Sequence, residues 1–229
     1  MSEVMSNTDL DLATLSRREA NATLQAAQAG AFRLLGPNGA HALACGLMHP
    51  IEVTIEGHAG YYAAGANKEA AVTIRGNAGT GVAENLMSGR VRVTGNASQS
   101  AGATGHGGLL VIEGDTAARC GISMKGIDIV VGGSVGHMSA FMGQAGRLVV
   151  LGDAGADLGD SIYEAELFVR GRVASLGADC EEKEMTEAAR DGLAALLEAA
   201  GMDADPAQFR RYGSARRLYH FTIDNADAY

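Results

Sequence analysis

Apolar and polar positions between residues 53 and 178 recur every 19 residues without slippage. The pairs Val53/Ile55, Val72/Ile74, Val91/Val93, Leu110/Ile112, Ile129/Val131, Leu148/Val150 and Leu167/Val169 stand four and two residues before a glycine: Gly57, Gly76, Gly95, Gly114, Gly133, Gly152 and Gly171. Alternation at period two is strand patterning, with the paired positions facing inward and the residue between them facing out. Seven residues after each glycine the side chain is tiny: Ala64, Ala83, Gly102, Gly121, Ala140, Gly159 and Ala178. One repeat is therefore a short strand, a glycine turn and a restricted corner. Such strands bury their apolar face only by stacking on one another, which predicts a solenoid. Nineteen residues suit one coil of a single-stranded parallel β-helix. A leucine-rich repeat, the nearest alternative in period, needs a leucine-and-asparagine consensus and a helical half that these coils lack. Seven coils about 4.8 Å apart give a column roughly 30 Å tall. The turn glycines are expected to supply positive φ, and the small corners to let the chain bend where a larger side chain collides with the next coil.

The pattern divides the chain into three parts: an N-terminal helix and capping segment (1–52), the β-helix (53–178), and a C-terminal helix with an Arg/Tyr tail (179–229). Residues 1–10 read as frayed. Ser16-Arg-Arg-Glu19 fits a capping box that opens an Ala-rich helix to about Ala29, with Gly30 as its stop. A strand over 32–35 and the turn Gly36-Pro-Asn-Gly39 lead into the column, and Cys45 falls at the corner of a partial preceding coil. After the column, Glu181-Glu-Lys-Glu-Met-Thr-Glu187 places acids at the positive end of a second helix. In that helix Met185, Ala189, Leu196 and Ala200 recur at helical spacing, and Gly201 ends it. The expected fold class is mainly β, with short helical extensions at both ends.

The outward column between the inward pairs reads Thr54, Thr73, Arg92, Val111, Val130, Val149 and Phe168, polar at first and then apolar. Four successive apolar residues on the outside of a parallel sheet need a cover. Either the second helix, which follows the last coil directly and has about the right length, or a partner supplies it; the helix is the favoured cover. The tail sets Arg210, Arg211, Arg216 and Arg217 among Phe209, Tyr212, Tyr219 and Phe221. In a chain of net charge −9 this reads as an anchor for a protein partner rather than for nucleic acid. Val111, Val130, Val149, Phe168, Arg210, Arg211, Arg216, Arg217 and Tyr219 are thus the candidate interface residues.

Composition narrows the chemistry. Glycine, 32 of 229 residues, is about twice its usual share, and the repeat accounts for it: neither GxGxxG nor GxxxxGK[ST] occurs. Aromatics at 5% with no Trp suit a narrow coil interior. Cys45, Cys120 and Cys180 are widely spaced with no CxxC, which reads as free buried thiols. His58, His106 and His137 fall in different columns and do not converge on a metal. Asn77, Asn96 and Asp115 stack just after the glycine and are expected to bond to one another and to the turn backbone. Asp160 and Asp179 share a column as acids on a solvated rim, and Met124, Met138 and Met142 read as gap-fillers first and a contact surface second. No apolar run has the length of a membrane span, and the N-terminus lacks the basic and apolar regions of a signal peptide, so a cytoplasmic location is expected. Nothing resembles an activated nucleophile or a cofactor motif. No catalytic, cofactor-binding or metal residue is assigned, and a stacked acid-and-aromatic groove of the polysaccharide-cleaving kind is missing as well.

The runs Gly76-Asn-Ala-Gly79, Met87-Ser-Gly89, Gly95-Asn-Ala-Ser98, Gly114-Asp115 and Gly152-Asp-Ala-Gly155 resemble the GXGXG β-helix that ends the large subunit of glutamate synthase. The resemblance covers residues 53–178 and concerns the fold; the β-helix subunit of formylmethanofuran dehydrogenase has similar coils and stays open as the alternative. Gly121-Ile-Ser-Met-Lys-Gly-Ile127, Gly136-His-Met-Ser-Ala-Phe-Met142 and Arg211-Tyr-Gly-Ser-Ala-Arg-Arg-Leu-Tyr219 narrow the resemblance to the β-helix subunit family of N-methylglutamate synthase, the GlxC-type proteins. That resemblance implies a non-catalytic scaffold in a heteromeric enzyme converting methylamine and L-glutamate to N-methyl-L-glutamate and ammonia. It implies as partners an amidotransferase-like subunit and a glutamate synthase-like subunit holding FMN and iron–sulfur clusters, with no cofactor in this chain.

Overall fold

A computed structural model describes residues 8–217. Among them, eleven strands form one sheet. β1 (Thr8–Asp11), β2 (Ala31–Leu35), β3 (Glu52–Glu56), β4 (Ala71–Ile74), β5 (Arg90–Val93), β6 (Leu109–Ile112), β7 (Lys125–Val131), β8 (Ala145–Val150) and β9 (Glu166–Val169) follow one another in parallel. From β3 to β9 the pairing keeps the period of the sequence: Val53 lies opposite Val72, Val72 opposite Val91, and so on to Leu148 opposite Leu167. The inward pairs are at most 2% exposed and form one continuous core. The molecule is a mainly β, parallel β-solenoid of about seven turns with two helices.

The N-terminal end is more ordered than expected. Residues 8–10, read as part of a frayed end, belong to β1: Leu10 enters the core, and Asp9 receives two hydrogen bonds from Arg33 at 2.7 and 2.9 Å. Residues 1–7 lie outside the described residues. Helix α1 (Arg17–Ala26) starts with the expected capping box, Ser16 and Glu19 each satisfying the other's backbone N–H. It ends three residues before Ala29, with Ala27 extended. The helix is held against the first coil by its own amides. Asn21 donates to the Ala42 carbonyl and accepts from the Ala44 N–H, and Gln25 donates to the Cys45 carbonyl, while Ala20 and Leu24 close the core.

The corner column turns left-handed as expected: Ala64, Ala83, Gly102, Gly121, Ala140 and Gly159 have φ between 55° and 70°. Two of its assignments shift. In the preceding coil the corner is Ala44, at φ 53°, and not Cys45. In the last coil Leu158 pairs with Leu176, so one residue is dropped. Gly177 rather than Ala178 then sits beside Asp160, whose Cβ an added methyl would approach to 2.3 Å. Two further left-handed columns flank the corner, with Tyr62, Ser100, Arg119, Met138 and Asp157 before it and Ala66, Asn85, Thr104, Ser123, Met142 and Ser161 after it. A left-handed non-glycine residue costs about 1–2 kcal/mol. Hydrogen bonds in both directions along the column offset this: the Tyr62 and Ala66 N–H groups donate to Thr80 and Glu84 on the next coil, and the Ala64 N–H to Leu43 on the previous one.

The turn glycines have a different reason from the one expected. Of the seven, only Gly57 has positive φ. At the others a Cβ collides with the coil before: 2.3 Å from Asn77 Oδ1 at Gly95, 2.1 Å from Asn96 Oδ1 at Gly114 and 2.1 Å from Asp115 Oδ1 at Gly133. The absent side chain makes room for a polar one.

The C-terminal end departs most from the pattern. Residues 181–183, read as the opening of the second helix, belong to strand β10 (Cys180–Lys183), and the Arg/Tyr tail supplies β11 (Arg210–Ser214). β11 inserts antiparallel between β9 and β10, which leaves β10 as the edge of the sheet. Helix α2 (Glu187–Ala200) begins only where Thr186 accepts from the Ala189 N–H, and it ends at Gly201 in the left-handed conformation, φ 65°.

Candidate interaction surfaces

Helix α2 lies on the outer stripe. Val111, Val130, Val149 and Phe168 are at most 1% exposed, in one cluster with Leu193, Leu196, Leu197, Ala200 and Phe209. Fourteen residues of helix span about 21 Å, close to the roughly 19 Å of four coils. The change from polar to apolar along the column marks where the helix stops: Arg92, the last polar member, donates to the carbonyl of Ala200. A guanidinium there satisfies an orphan carbonyl and faces the negative end of the helix dipole. Arg147 ties the helix middle, donating to the Gly192 carbonyl at 3.1 Å while gripping both Asp128 oxygens. The stripe is therefore an interface within the chain.

The tail arginines are engaged in the same way. Arg211 donates to Glu166 and to the Glu184 carbonyl, Arg210 to the Gly171 carbonyl, and Arg216 to Glu164 at 2.8 Å. Arg217 donates its N–H to Asp179 and is otherwise exposed, with a guanidinium 3.8 Å from Glu181. Tyr212 is buried, which raises its phenol pKa, and Arg210 sits 5.9 Å from its ring centre. Tyr219 lies outside the described residues. Beside these strands a cleft of about 300 Å³ is lined by Tyr163, Glu164, Glu166, Lys183, Arg211 and Arg216, with its charges paired to one another and to Glu181. No pattern in the sequence announces β11: alternation in Arg-Arg-Tyr-Gly-Ser puts only Tyr212 on the core side.

The expected ladder is longer than the three residues read from the sequence. Acceptors on His58, Asn77, Asn96, Asp115, Ser134 and Asp153 each take the N–H of the equivalent residue one coil on, at 2.7–3.0 Å, ending at Arg172. His58 thus belongs to a structural column. His137 pairs with Asp157 at 3.4 Å. Because the last coil drops a residue, Ala178 and not Asp179 stands one coil on from Asp160, so the two acids do not share a column as expected; Asp160 accepts from Ser161 and from the Ala178 N–H, and Asp179 from Ser214 and from the Arg217 N–H.

Burial pushes the thiol of Cys45 up to about 11 and those of Cys120 and Cys180 to about 12, far from the range of a reactive thiolate. Among the described residues there is no cluster of three or more His, Cys, Asp or Glu side chains of the kind that holds a metal ion. No helix among them is long and apolar enough to cross a membrane. Met124 fills the core at 0% exposure, whereas Met142 is 38% exposed.

Fold and surfaces together define a capped parallel β-solenoid of the glycine-turn type, with its own C-terminal helix on the sheet. No family model matches the chain. It is 60% identical over 225 residues to protein GlxC of Rhizobium meliloti (strain 1021), a match that covers 96% of this chain and 99% of that protein. The chain belongs to the GlxC family.

Proposed function

We propose that this chain is the β-solenoid scaffold of an N-methylglutamate synthase. It positions an amidotransferase-like subunit against a subunit that carries FMN and iron–sulfur clusters, and it helps enclose the route between them. The reaction of the assembly is methylamine plus L-glutamate to N-methyl-L-glutamate plus ammonia. The full-length likeness to protein GlxC, joined to the repeat motifs shared with the glutamate synthase β-helix, carries the reading. The described surface supports it. Its polar columns are consumed in holding coils together, and of its thiols Cys120 is buried while Cys45 and Cys180, expected to be buried, are half-buried, so a rigid rod about 30 Å long is what the chain offers a partner.

Co-expression of the tagged chain with an amidotransferase-like subunit and an FMN-protein subunit encoded in the same genome tests this. The expected result is a stable three-subunit complex on gel filtration, with flavin absorbance in the complex and none in the isolated chain. Elution of the tagged chain alone, with both other subunits soluble and folded, contradicts the reading.

A further inference from the structure

The left-handed side of the column carries an apolar patch that the fold does not use. Ile122 and Phe141 occupy one position on successive coils, where the Ser123 N–H donates to the Phe141 carbonyl at 2.8 Å. Met138 and Met142 stand on either side of Phe141. All four side chains keep access to solvent, and Met142 is 38% exposed. Met142 holds φ 52° in a column whose neighbours are Ser123 and Ser161. A long apolar side chain there stays partly open to solvent, whereas the methionine that fills the core in this region is Met124.

Two exposed cations flank the patch. Arg119 and Lys125 bracket Ile122 on the same coil, both exposed, and neither has an ion pair among the described residues. They stay without an acid although several arginines elsewhere have one, as Arg33 has Asp9 and Arg147 has Asp128, in a chain whose acids outnumber its bases 27 to 18. The nearby acids are engaged or distant: Asp157 pairs with His137, Asp160 holds Ser161 and the Ala178 N–H, and Glu84 lies two coils from Ile122 in its column. A second copy of this chain is a poor occupant. A twofold contact sets the patch against itself and brings Arg119 and Lys125 towards their own equivalents.

We propose that Ile122, Met138, Phe141 and Met142, flanked by Arg119 and Lys125, form the surface on which a catalytic subunit docks. That subunit presents an apolar side chain ringed by carboxylates; the proposal rests on the scaffold reading above. An apolar centre with a charged rim is the arrangement that concentrates binding energy and sets partner choice.

The test uses the full chain co-expressed with the two other subunits. Met142→Asn removes the apolar side chain while keeping a residue that tolerates the left-handed conformation, and Lys125→Glu reverses a rim charge. Both variants are expected to melt within about 2 °C of the unsubstituted chain, as surface changes do, and each to weaken assembly by roughly tenfold or more. Should Met142→Asn melt lower, Lys125→Glu and Arg119→Asn decide. Salt is expected to weaken the unsubstituted complex more than the Lys125→Glu complex. Assembly unchanged within about twofold in these variants overturns the surface while leaving the scaffold reading intact. An unsubstituted chain that assembles with neither subunit overturns both. A dimer of the isolated chain that Met142→Asn dissolves overturns the choice of occupant.

Discussion

At Gly133 the absence of a single methyl group joins two columns. A Cβ there lies 2.1 Å from Asp115 Oδ1 and 2.8 Å from the Gly114 carbonyl, while Asp115 accepts the Ser134 N–H at 2.7 Å. Glycine and ladder are one device, repeated coil after coil. Gly133→Ala is expected to lose about 1–3 kcal/mol by overpacking, and Asp115→Ala about 1 kcal/mol for the lost acceptor. The double variant is expected to lose less than the sum, because removing Asp115 relieves part of the clash; strict additivity in urea melts contradicts the coupling. The same column makes a prediction about acid. The Arg172 N–H, and then its guanidinium, hold the Asp153 carboxyl below its ordinary value. A depressed folded pKa contributes stability above the unfolded value of about 3.9, lost as pH falls through the lower folded value. Asp153→Asn is therefore expected to flatten the fall of the urea midpoint between about pH 5 and pH 2; an unaltered slope counts against the contact.

At the scale of elements, the strands and the stripe were legible in the sequence because both rest on a strict period. Val111 to Phe168 could be read as needing a cover, and the end of the helix at Gly201 was legible as a left-handed cap. The start of that helix was not: the acids over 181–184 suit a first turn, but Thr186 is the residue that caps, and the acids before it lie in an edge strand paired with residues from the tail. That pairing joins residues about 30 apart with no repeat to announce it. The flanking left-handed columns were silent for a related reason. They hold Tyr, Arg, Met and Asp as readily as Ala, because hydrogen bonds between coils rather than small size fix their backbone. Val130→Asp tests the helix contact. A carboxylate under α2 is expected to destabilise the isolated chain by about 3 kcal/mol or more and to speed hydrogen exchange in α2 first. An unchanged melting temperature contradicts the packing of helix on stripe.

As a whole molecule, the chain is a rod capped by α1 at one end and by the antiparallel β11 and β10 at the other, with one flank of its sheet clad by α2. The residues singled out from sequence as partner contacts are largely spent on this internal cladding. Among the apolar side chains that the rod leaves partly open are Ile122, Phe141 and Met142 on its left-handed side. A scaffold of this kind acts by holding other subunits in register, so its effect is visible only in their company. The most direct measurement is turnover by the reconstituted subunits with ¹⁵N-methylamine and L-glutamate, with and without this chain. Labelled N-methylglutamate is expected from the complete set, none from this chain alone, and a loss of at least about tenfold when it is omitted. Equal turnover by the other two subunits in its absence contradicts the scaffold account.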